Sequence, residues 1–503
     1  MWRAAICVTA ALSWAGVHSV PAPTATPFPV VGVKAGINKN TGQAPARLNI
    51  NTLWARRGPQ WDLYILALSE LKAMNETDEL SYYGITGIHG FPHSAWNGVG
   101  HVDGAPITGF CPHGQVLVSH AVRIAAEYPP DLQPEYVAAA QTLRQPYWDW
   151  ASDPTLPPAA YAVNVTVRSP CGVIEIANPL CGYRFQQVPV ESSFGGFLAT
   201  YPQTIRCLGE GCMLSNITAS NKAMSLAAED LTSDIYDVFA RAKTFDSSGW
   251  RVSSLEFPHN LVHALLHADR SSMLHHCNVD RLVAMWQVIH YEEDMPTVAA
   301  NTTGQYANPK GIVTADSPLK PFFDEDMNFH TSKSVANITT FGYTYPEMPD
   351  WKMPPEARAS HVRAHVNSLY SGGDNGVGQT RALDQAGPLL RLVVGRTVVG
   401  RLSLLAMPRD GTASVSLPLQ DVRIGGKSMR DLSPARVVLF LQQELTTEIR
   451  TSDGVEVPAT MVPSLQLQVQ NVEYIPRVND SSFPVFGKAK RWPVEVRQRQ
   501  RQR

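Results

Sequence analysis

Five of the fifteen histidines in the chain lie between residues 256 and 281, and this clustering limits what that segment can fold into. His259 and His263 are four residues apart with no proline between them, so a helix places both on one face. His275 and His276 precede an apolar pattern with helical spacing, which predicts a second helix. Two helices that direct imidazoles towards a common centre are typical of a buried metal ion. The stretch therefore predicts a metal site rather than histidines that only pack in a core.

The residues around the histidines narrow the choice of metal. Zinc proteases place a glutamate directly after the first histidine of the pair, where it acts as general base. Asn260 occupies that position here, which excludes the zinc-protease motif. A site made of imidazoles, without a thiolate or carboxylate ligand, suits copper, zinc or iron. This stretch alone leaves those three metals open.

Length, charge and the N-terminal sequence limit the class of protein. A chain of 503 residues is long enough for two or three domains. Its net charge of -2 gives no indication of a nucleic-acid partner. Residues 1–22 hold an apolar run after an arginine, which is typical of a secretory signal peptide and too short to span a membrane. We therefore expect a secreted, extracellular protein with no membrane partner.

Sequons and cysteines fit a secretory pathway. The Asn-x-Ser/Thr sequons begin at Asn75, Asn164, Asn216, Asn301, Asn337 and Asn479. Candidate disulfides at short spacing are Cys171 with Cys181 and Cys207 with Cys212, although sequence alone does not fix the pairing. The cysteines that lie beside histidines are expected to stay unpaired, namely Cys111 and Cys277.

Apolar periodicity divides the chain into segments of different structure. Helical spacing predicts helices at about residues 60–74, 116–128 and 134–144, followed by a loop-rich region. Short alternating runs predict strands at residues 389–394, 412–419, 437–441 and 465–472. We expect a signal peptide (1–22), a mainly helical domain (23–348), a linker (349–386), a β-rich domain (387–487) and a basic disordered tail (488–503).

Six motifs follow one another in the chain in a fixed order. They are Gly-Ile-His-Gly at 87–90, Cys-Pro-His-Gly at 111–114, Leu-Arg-Gln-Pro-Tyr-Trp-Asp-Trp at 143–150, Ser-Leu-Glu-x-x-His-Asn-x-x-His at 254–263, Leu-His-His-Cys-Asn-Val-Asp-Arg at 274–281 and Phe-Gly-Tyr-Thr-Tyr-Pro-Glu at 341–347. Together they resemble the tyrosinase and polyphenol oxidase family of type-3 copper enzymes, most of all its secreted fungal branch. The resemblance covers roughly residues 30–350.

The resemblance implies a fold, cofactors and ligands. The fold is mainly α, with an antiparallel four-helix bundle that holds a binuclear copper site, loop-rich excursions and a C-terminal β-rich domain. Two copper ions are the implied cofactors, and a phenolic molecule and O2 are the implied substrates. The implied ligands are His89 and His113 for the first copper, and His259, His263 and His276 for the second. His275 corresponds to the neighbour of a ligand, and no oligomeric state follows from the motifs.

Two further bonds are expected from the same motifs. Many family members join the cysteine two residues before the second ligand to that histidine, which implies a thioether between Cys111 and His113. Such a bond would fix the orientation of the imidazole. Asp280 and Arg281 are expected to form a buried structural ion pair.

The implied reaction is the oxidation of o-diphenols to o-quinones, with prior ortho-hydroxylation of monophenols. Hydroxylation needs a base for the phenolic proton, and in such members a glutamate and an asparagine hold a water for that purpose. Glu256 and Asn260 match these residues and share one helix face. The alternatives are a catechol oxidase without hydroxylase activity, and an O2-binding or inactive protein on the same bundle.

The chain departs from the family pattern at the first copper. The third ligand is expected nine residues after His113, where this sequence has Val122. No Trp-His-Arg sequence, which normally carries that ligand, occurs in the chain. The chain passes from Cys-Pro-His-Gly-Gln at 111–115 directly to Val-Leu-Val-Ser-His-Ala-Val-Arg at 116–123, as though a block between residues 115 and 118 were absent. His120 is a possible substitute ligand.

The second copper region is also short between His263 and His276, where it lacks the usual Asp-Pro-x-Phe sequence. Three explanations of these departures are open: a gene reading that omits segments near 115–118 and 264–274, a degenerate member, or substitution by nearby histidines. His267 is the spare histidine at the second copper. The flanking residues keep the family pattern, which favours omitted sequence.

Related enzymes carry a C-terminal domain that covers the active site until proteolysis removes it. The β-rich segment after residue 387 has the position and composition of such a shield. Basic residues at 488–491 offer cleavage sites near the end of the chain.

Overall fold

The computed structural model describes most of the chain in separate ranges. They are residues 27–88, 95–100, 113–188, 190, 199–206, 215–244, 255–266, 273–293, 298–301, 307, 311–348, 352–371, 389–394, 397–403, 423–424, 427–428, 432–450, 455–462 and 465–497. Several sequence-based expectations lie outside these residues: the signal peptide, His89, Cys111, His267, the pair Cys207 and Cys212, and the strand at 412–419.

Helices dominate the described residues. They are α1 (Ile50–Arg56), α2 (Pro59–Ala73), α3 (Tyr82–Gly87), α4 (His113–Ala126), α5 (Gln133–Thr142), α6 (Pro158–Tyr161), α7 (Ile217–Leu226), α8 (Ala228–Arg241), α9 (Glu256–Leu266), α10 (Met273–Ile289), α11 (Ser332–Val335), α12 (Pro355–Tyr370) and α13 (Pro434–Glu444). The predicted mainly α fold is confirmed. None of these helices has the length and apolar character needed to cross a membrane.

The strands form small antiparallel sheets. They are β1 (Asn164–Ser169), β2 (Gly172–Ala177), β3 (Val298–Asn301), β4 (Gly311–Thr314), β5 (Pro318–Phe323), β6 (Phe329–Thr331), β7 (Leu389–Val394), β8 (Thr397–Ser403), β9 (Arg423–Ile424), β10 (Lys427–Ser428), β11 (Leu445–Arg450), β12 (Glu456–Val457), β13 (Leu467–Ile475) and β14 (Val485–Val494). One sheet has four strands in the order β12-β11-β7-β8, and the others pair two strands each.

Helix α2 is central to the main hydrophobic core. Pro59 stands in its first turn, where a missing backbone N–H costs nothing. Trp61 and Tyr64 are fully buried, and the helix packs against both α4 and α5. The Tyr136 hydroxyl of α5 donates a 2.7 Å hydrogen bond to the buried Asp62 carboxylate of α2. Helices α2, α4, α9 and α10 all contribute side chains to this one core.

Arg281 of α10 ties distant parts of the core together. Its guanidinium is 1% exposed and lies 3.2 Å from Asp149 and 2.5 Å from Glu347. It also donates to the Tyr370 hydroxyl of α12 at 2.9 Å. A buried cation next to two carboxylates is stable only when all three are paired. The position of α10 is therefore fixed relative to both segments and to α12.

The expected pair between Asp280 and Arg281 was wrong, because each residue has a different partner. The Asp280 carboxylate forms a 3.0 Å ion pair with Arg47, whose guanidinium lies 3.7 Å from the centre of the Tyr343 ring. Successive residues of a helix point in different directions, so neighbours in sequence do not face each other. The two neighbouring residues of the motif therefore take part in separate ion pairs.

The segment 349–386, expected as a linker, contains the sixteen-residue helix α12. Val362, Val366 and Tyr370 of this helix are buried, and it packs against α8 and α10. The spacing of four residues places these side chains in one apolar stripe along the helix. The Pro and Gly residues on either side favour a loop, which is why the sequence predicts a linker here. The helix belongs to the core.

Two C-terminal expectations also differ from the structure. Residues 437–441 lie in helix α13 instead of a strand, because Pro434 opens a helix whose buried positions are Val438 and Leu441. Strand β14 continues to Val494, into the tail expected to be disordered, because it pairs with β13. The expected strands at 389–394 and 465–472 correspond to β7 and most of β13. The domain boundaries themselves stay a prediction.

The C-terminal hairpin of β13 and β14 is fastened to the helical core. The buried Asn367 amide of α12 donates to the carbonyls of Asp480 and Ser482 at 2.6 and 2.9 Å. Tyr236 of α8 donates to Asn367 at 2.9 Å. The turn of this hairpin therefore rests on α8 and α12.

Cys171 and Cys181 are not joined to each other by a disulfide. The Cys181 sulfur instead lies 2.9 Å from the carbonyl oxygen of Ala162. The candidate pairing of these two cysteines was wrong. Cys277 has a buried thiol, and burial raises its pKa to about 12, so it stays protonated at neutral pH.

Replacing Arg281 with Met tests the importance of the buried ion network. The substitution leaves Asp149 and Glu347 as buried carboxylates without their cation, so we expect the free energy of unfolding to fall by about 3–5 kcal/mol. Urea unfolding followed by circular dichroism measures the loss. Arg123→Met is the matched control, because Arg123 is 54% exposed and its ion pairs should contribute less than about 1 kcal/mol. Equal losses in both variants would contradict the network's role.

Candidate metal centre

Three imidazoles from α9 and α10 converge on one point. The Nε2 atoms of His259, His263 and His276 lie 3.1 Å from one another in all three pairs. The helix places His259 and His263 on one face of α9, as the four-residue spacing predicts. His276 reaches the same point from the first turn of α10. The structure therefore brings together the three residues implied as ligands of the second copper.

The triangle of nitrogen atoms has the size needed for a transition-metal ion. Nitrogen atoms separated by 3.1 Å stand about 1.8 Å from the centre of their triangle. Imidazole nitrogens bind such metals at about 2.0–2.1 Å, so three nitrogens at this spacing would be able to hold one ion. The donor set therefore fits a transition-metal centre.

Glu256 supports the first histidine of this cluster. Its Oε2 atom lies 3.0 Å from Nδ1 of His259, one helical turn away. A carboxylate that accepts the Nδ1 proton leaves the Nε2 lone pair available to the metal. The Glu256 side chain is 66% exposed, whereas Asn260 on the same helix is buried.

His275 packs against the cluster from the core side. Its ring stacks on His259 at 4.9 Å between ring centres, nearly parallel, and meets His263 edge-on at 4.5 Å. Trp150 lies 5.5 Å from it. Its ligand nitrogen also falls within 4.8 Å of those of the other three histidines. The resemblance implies that His275 is the neighbour of a ligand, and the structure places its ring in contact with His259 and His263.

His113 is the first residue of α4 and is 2% exposed. Its Nδ1 atom lies 3.1 Å from Oε1 of Gln145, so Nδ1–H donates to the amide oxygen. Among the described residues its Nε2 atom has no hydrogen-bonding partner. Burial, followed by the nearby ammonium group of Lys72, lowers the pKa of His113 to about 3. The imidazole is therefore neutral and turns an unused nitrogen lone pair inward, as a metal ligand does.

A cavity of about 80 Å³ joins His113 to His276. Gln145, Met273 and Cys277 also line it. A cavity of this size has room for more than one small ligand. These two histidines, which belong to different copper sites in the implied assignment, thus line the same cavity.

The structure separates the other sequence candidates from this cavity. His120 lies two turns along α4 from His113, about 10 Å along the axis. Its Nδ1 atom is 3.0 Å from Oε2 of Glu70 on α2. Val122 is 47% exposed. His120 therefore pairs with Glu70 and is not among the residues that line the cavity.

Gln145 is the site residue that sequence reasoning missed. It lies within the Leu-Arg-Gln-Pro-Tyr-Trp-Asp-Trp motif, whose aromatic residues drew attention to the motif as a whole. Gln145 is 3% exposed, and its amide nitrogen lies 3.4 Å from the Pro146 carbonyl oxygen. A buried glutamine in a motif otherwise rich in aromatic residues was the available signal.

The chain was compared with known proteins by sequence and by fold. The family description "Common central domain of tyrosinase" matches residues 79–289. A tyrosinase from Podospora anserina is 30% identical over 437 residues, covering 75% of this chain and 74% of that protein. Polyphenol oxidase 3 from Agaricus bisporus is 26% identical, covering 68% and 67% respectively.

A solved structure of recombinant mushroom tyrosinase has the same fold, with a TM-score of 0.73 at 19% identity. The likeness covers 94% of this chain and 100% of that chain. The histidine cluster on α9 and α10 is consistent with the two-copper site of such proteins. The chain therefore belongs to the tyrosinase family of oxidoreductases, which oxidise phenols with a pair of copper ions.

Proposed function

We propose that this chain hydroxylates monophenols and oxidises the resulting o-diphenols to o-quinones, with O2 as oxidant. The observation that carries the proposal is the triad of Nε2 atoms 3.1 Å apart beside a cavity that His113 also lines. We assign His259, His263 and His276 to one copper, and His113 with His89 to the other. When bound, the copper pair supplies O2 activation and accepts electrons from the phenol.

The protein's own residues prepare the ligands. Gln145 accepts a hydrogen bond from Nδ1–H of His113, and Glu256 accepts one from Nδ1–H of His259. Both contacts select the tautomer whose Nε2 atom faces the metal. Since the imidazoles are held before the metal arrives, little reorganisation opposes binding.

Glu256 and Asn260 are the proposed proton-handling residues. They lie four residues apart on α9, on either side of the ligand His259 in sequence. A water held by the pair would take the proton of a phenolic hydroxyl and pass it to the Glu256 carboxylate. Loss of that proton makes the phenol oxygen an anion that can approach the metal. This step is needed for hydroxylation of a monophenol and less so for a diphenol.

A second candidate is a chain with one working copper site and no oxidase activity. The observation that favours it is that Val122 stands nine residues after His113, where the family pattern has the third ligand of the first copper. A catechol oxidase without hydroxylase activity is the other alternative. Copper per chain separates the inactive candidate from both oxidases, because an oxidase holds two ions.

Replacing Gln145 with Leu tests how His113 is prepared. The change removes the acceptor of the Nδ1 proton, so we expect copper affinity at the first site to fall by about 10- to 100-fold. Competition dialysis against a chelator, read as copper per chain, measures the change. Gln60→Leu serves as control, because Gln60 donates to Thr142 at an exposed position and is not among the residues that line the cavity. Unchanged copper affinity in Gln145→Leu would remove Gln145 from the site.

Replacing Asn260 with Gly tests the proton-handling pair. We expect oxidation of a monophenol to slow by about tenfold or more, and oxidation of the matching catechol to change little. Oxygen uptake with the two substrates gives the ratio directly. Parallel losses with both substrates would instead mean that Asn260 supports the helix and not the proton transfer.

We also propose that the C-terminal segment restricts access to the copper site. Strand β8 lies against α9, the helix that carries two of the ligands. The hairpin turn held by Asn367 anchors the same segment at a second place. A rigid segment attached at two places leaves less room for a phenol to reach α9.

Cleaving the folded protein at a protease site inserted within residues 372–388 tests this restriction. We expect phenol oxidation to rise several-fold after cleavage and separation of the C-terminal part. Oxygen uptake before and after cleavage measures it, with uncleavable protein treated in the same way as control. If the rate does not change, the segment does not act as a shield.

A further inference from the structure

Helix α12 carries a second pair of histidines with the spacing of metal ligands. His361 and His365 are four residues apart, and their ring centres are 4.7 Å from each other at an angle of 70°. Both side chains are partly buried. Within the described part of the chain neither ring has a hydrogen-bonding partner, whereas His113, His120 and His259 each have one. The two imidazoles therefore lie side by side and, among the described residues, serve no hydrogen bond.

The pair on α9 provides a direct comparison within the same molecule. His259 and His263 have the same four-residue spacing, with ring centres 4.6 Å from each other at an angle of 87°. Their Nε2 atoms are close enough to bind one ion. Helix α12 therefore matches α9 to within 0.1 Å in ring separation, with a ring angle that is 17° smaller.

We propose that His361 and His365 bind a divalent transition-metal ion at a site separate from the copper pair. Neutral imidazoles suit Cu(II), Ni(II) and Zn(II), and among these Cu(II) binds most tightly to a given nitrogen site. The described residues place no third histidine, cysteine or carboxylate in reach of this pair. Water completes the coordination, so the site is open and binds more weakly than a triad.

The surroundings of His365 favour the form that binds metal. Burial, and then the neighbouring His361, lower the pKa of His365, while Glu347 acts in the opposite direction. The ring is accordingly neutral at pH 7, and a metal ion meets little competition from protons. The Glu347 carboxylate raises the pKa of His365 and the Arg281 guanidinium lowers it, and because these two groups form an ion pair their effects on a nearby cation largely offset each other.

The pair occupies a different face of α12 from the residues that hold the C-terminal turn. Arg363 and Asn367 bond to the turn around Ser481. They lie about 200° around the helix axis from His361 and His365. A metal ion on the histidine pair therefore leaves those contacts in place. The site can fill without releasing the C-terminal hairpin.

Titration of the copper-loaded full-length protein with Cu(II) tests the proposal. We expect one additional ion per chain, with an electron paramagnetic resonance spectrum that shows coupling to two imidazole nitrogens. His361→Ala and His365→Ala should each weaken this additional site by about tenfold or more, since either change leaves one ligand. His120→Ala is the matched control, because it removes a half-buried helical histidine that pairs with Glu70.

The outcomes separate this site from the copper pair. Loss of the additional ion in both α12 variants, with its retention in His120→Ala, supports the proposal. No additional uptake, or the same uptake in all variants, overturns it. Thermal unfolding with and without Zn(II) gives a second readout, because binding to the native state raises the midpoint and each α12 variant should abolish that rise. Phenol oxidation by the copper-loaded variants should stay at the wild-type rate.

Discussion

The buried guanidinium of Arg281 is the interaction on which the position of the metal-binding helices depends. It joins α10 to Asp149, Glu347 and the Tyr370 hydroxyl of α12, all inside the core. His276 is the fifth residue before it on the same rigid helix. Any movement of α10 that misplaced His276 would also separate buried charges, which is costly. The ion network therefore fixes one corner of the histidine triangle.

The remaining corners depend on contacts of shorter range. His259 and His263 are placed by the geometry of α9 alone, and Glu256 reaches His259 from the preceding turn. For that reason the four-residue spacing was sufficient to predict from sequence that these two imidazoles converge. His276 could be predicted from its motif, although only the fold brings it 3.1 Å from the other two. The local sequence pattern predicts which histidines share a helix face, and the packing of the helices determines whether histidines of different helices converge.

Contacts between distant residues were beyond local pattern. The hydrogen bond from His113 to Gln145 spans 32 residues, and the ion pair of Arg47 with Asp280 spans 233. Both depend on which segments the fold places side by side. Helix α12 and helix α13 were missed for a related reason: their buried stripes exist because other elements cover Val366 and Leu441. Near Pro and Gly residues the local sequence favours a loop, so these helices can be recognised only when the elements that pack against them are known.

The two histidine pairs show why spacing alone does not define function. On α9 and on α12 the rings face each other at nearly the same distance, so a helix produces the same two-ligand arrangement twice. The two pairs differ in whether a third histidine lies beside them. His276 from α10 joins the first pair at a point beside the cavity that His113 also borders. The α12 pair has no such neighbour among the described residues and faces solvent on one side, so it suits binding of an ion rather than chemistry at one.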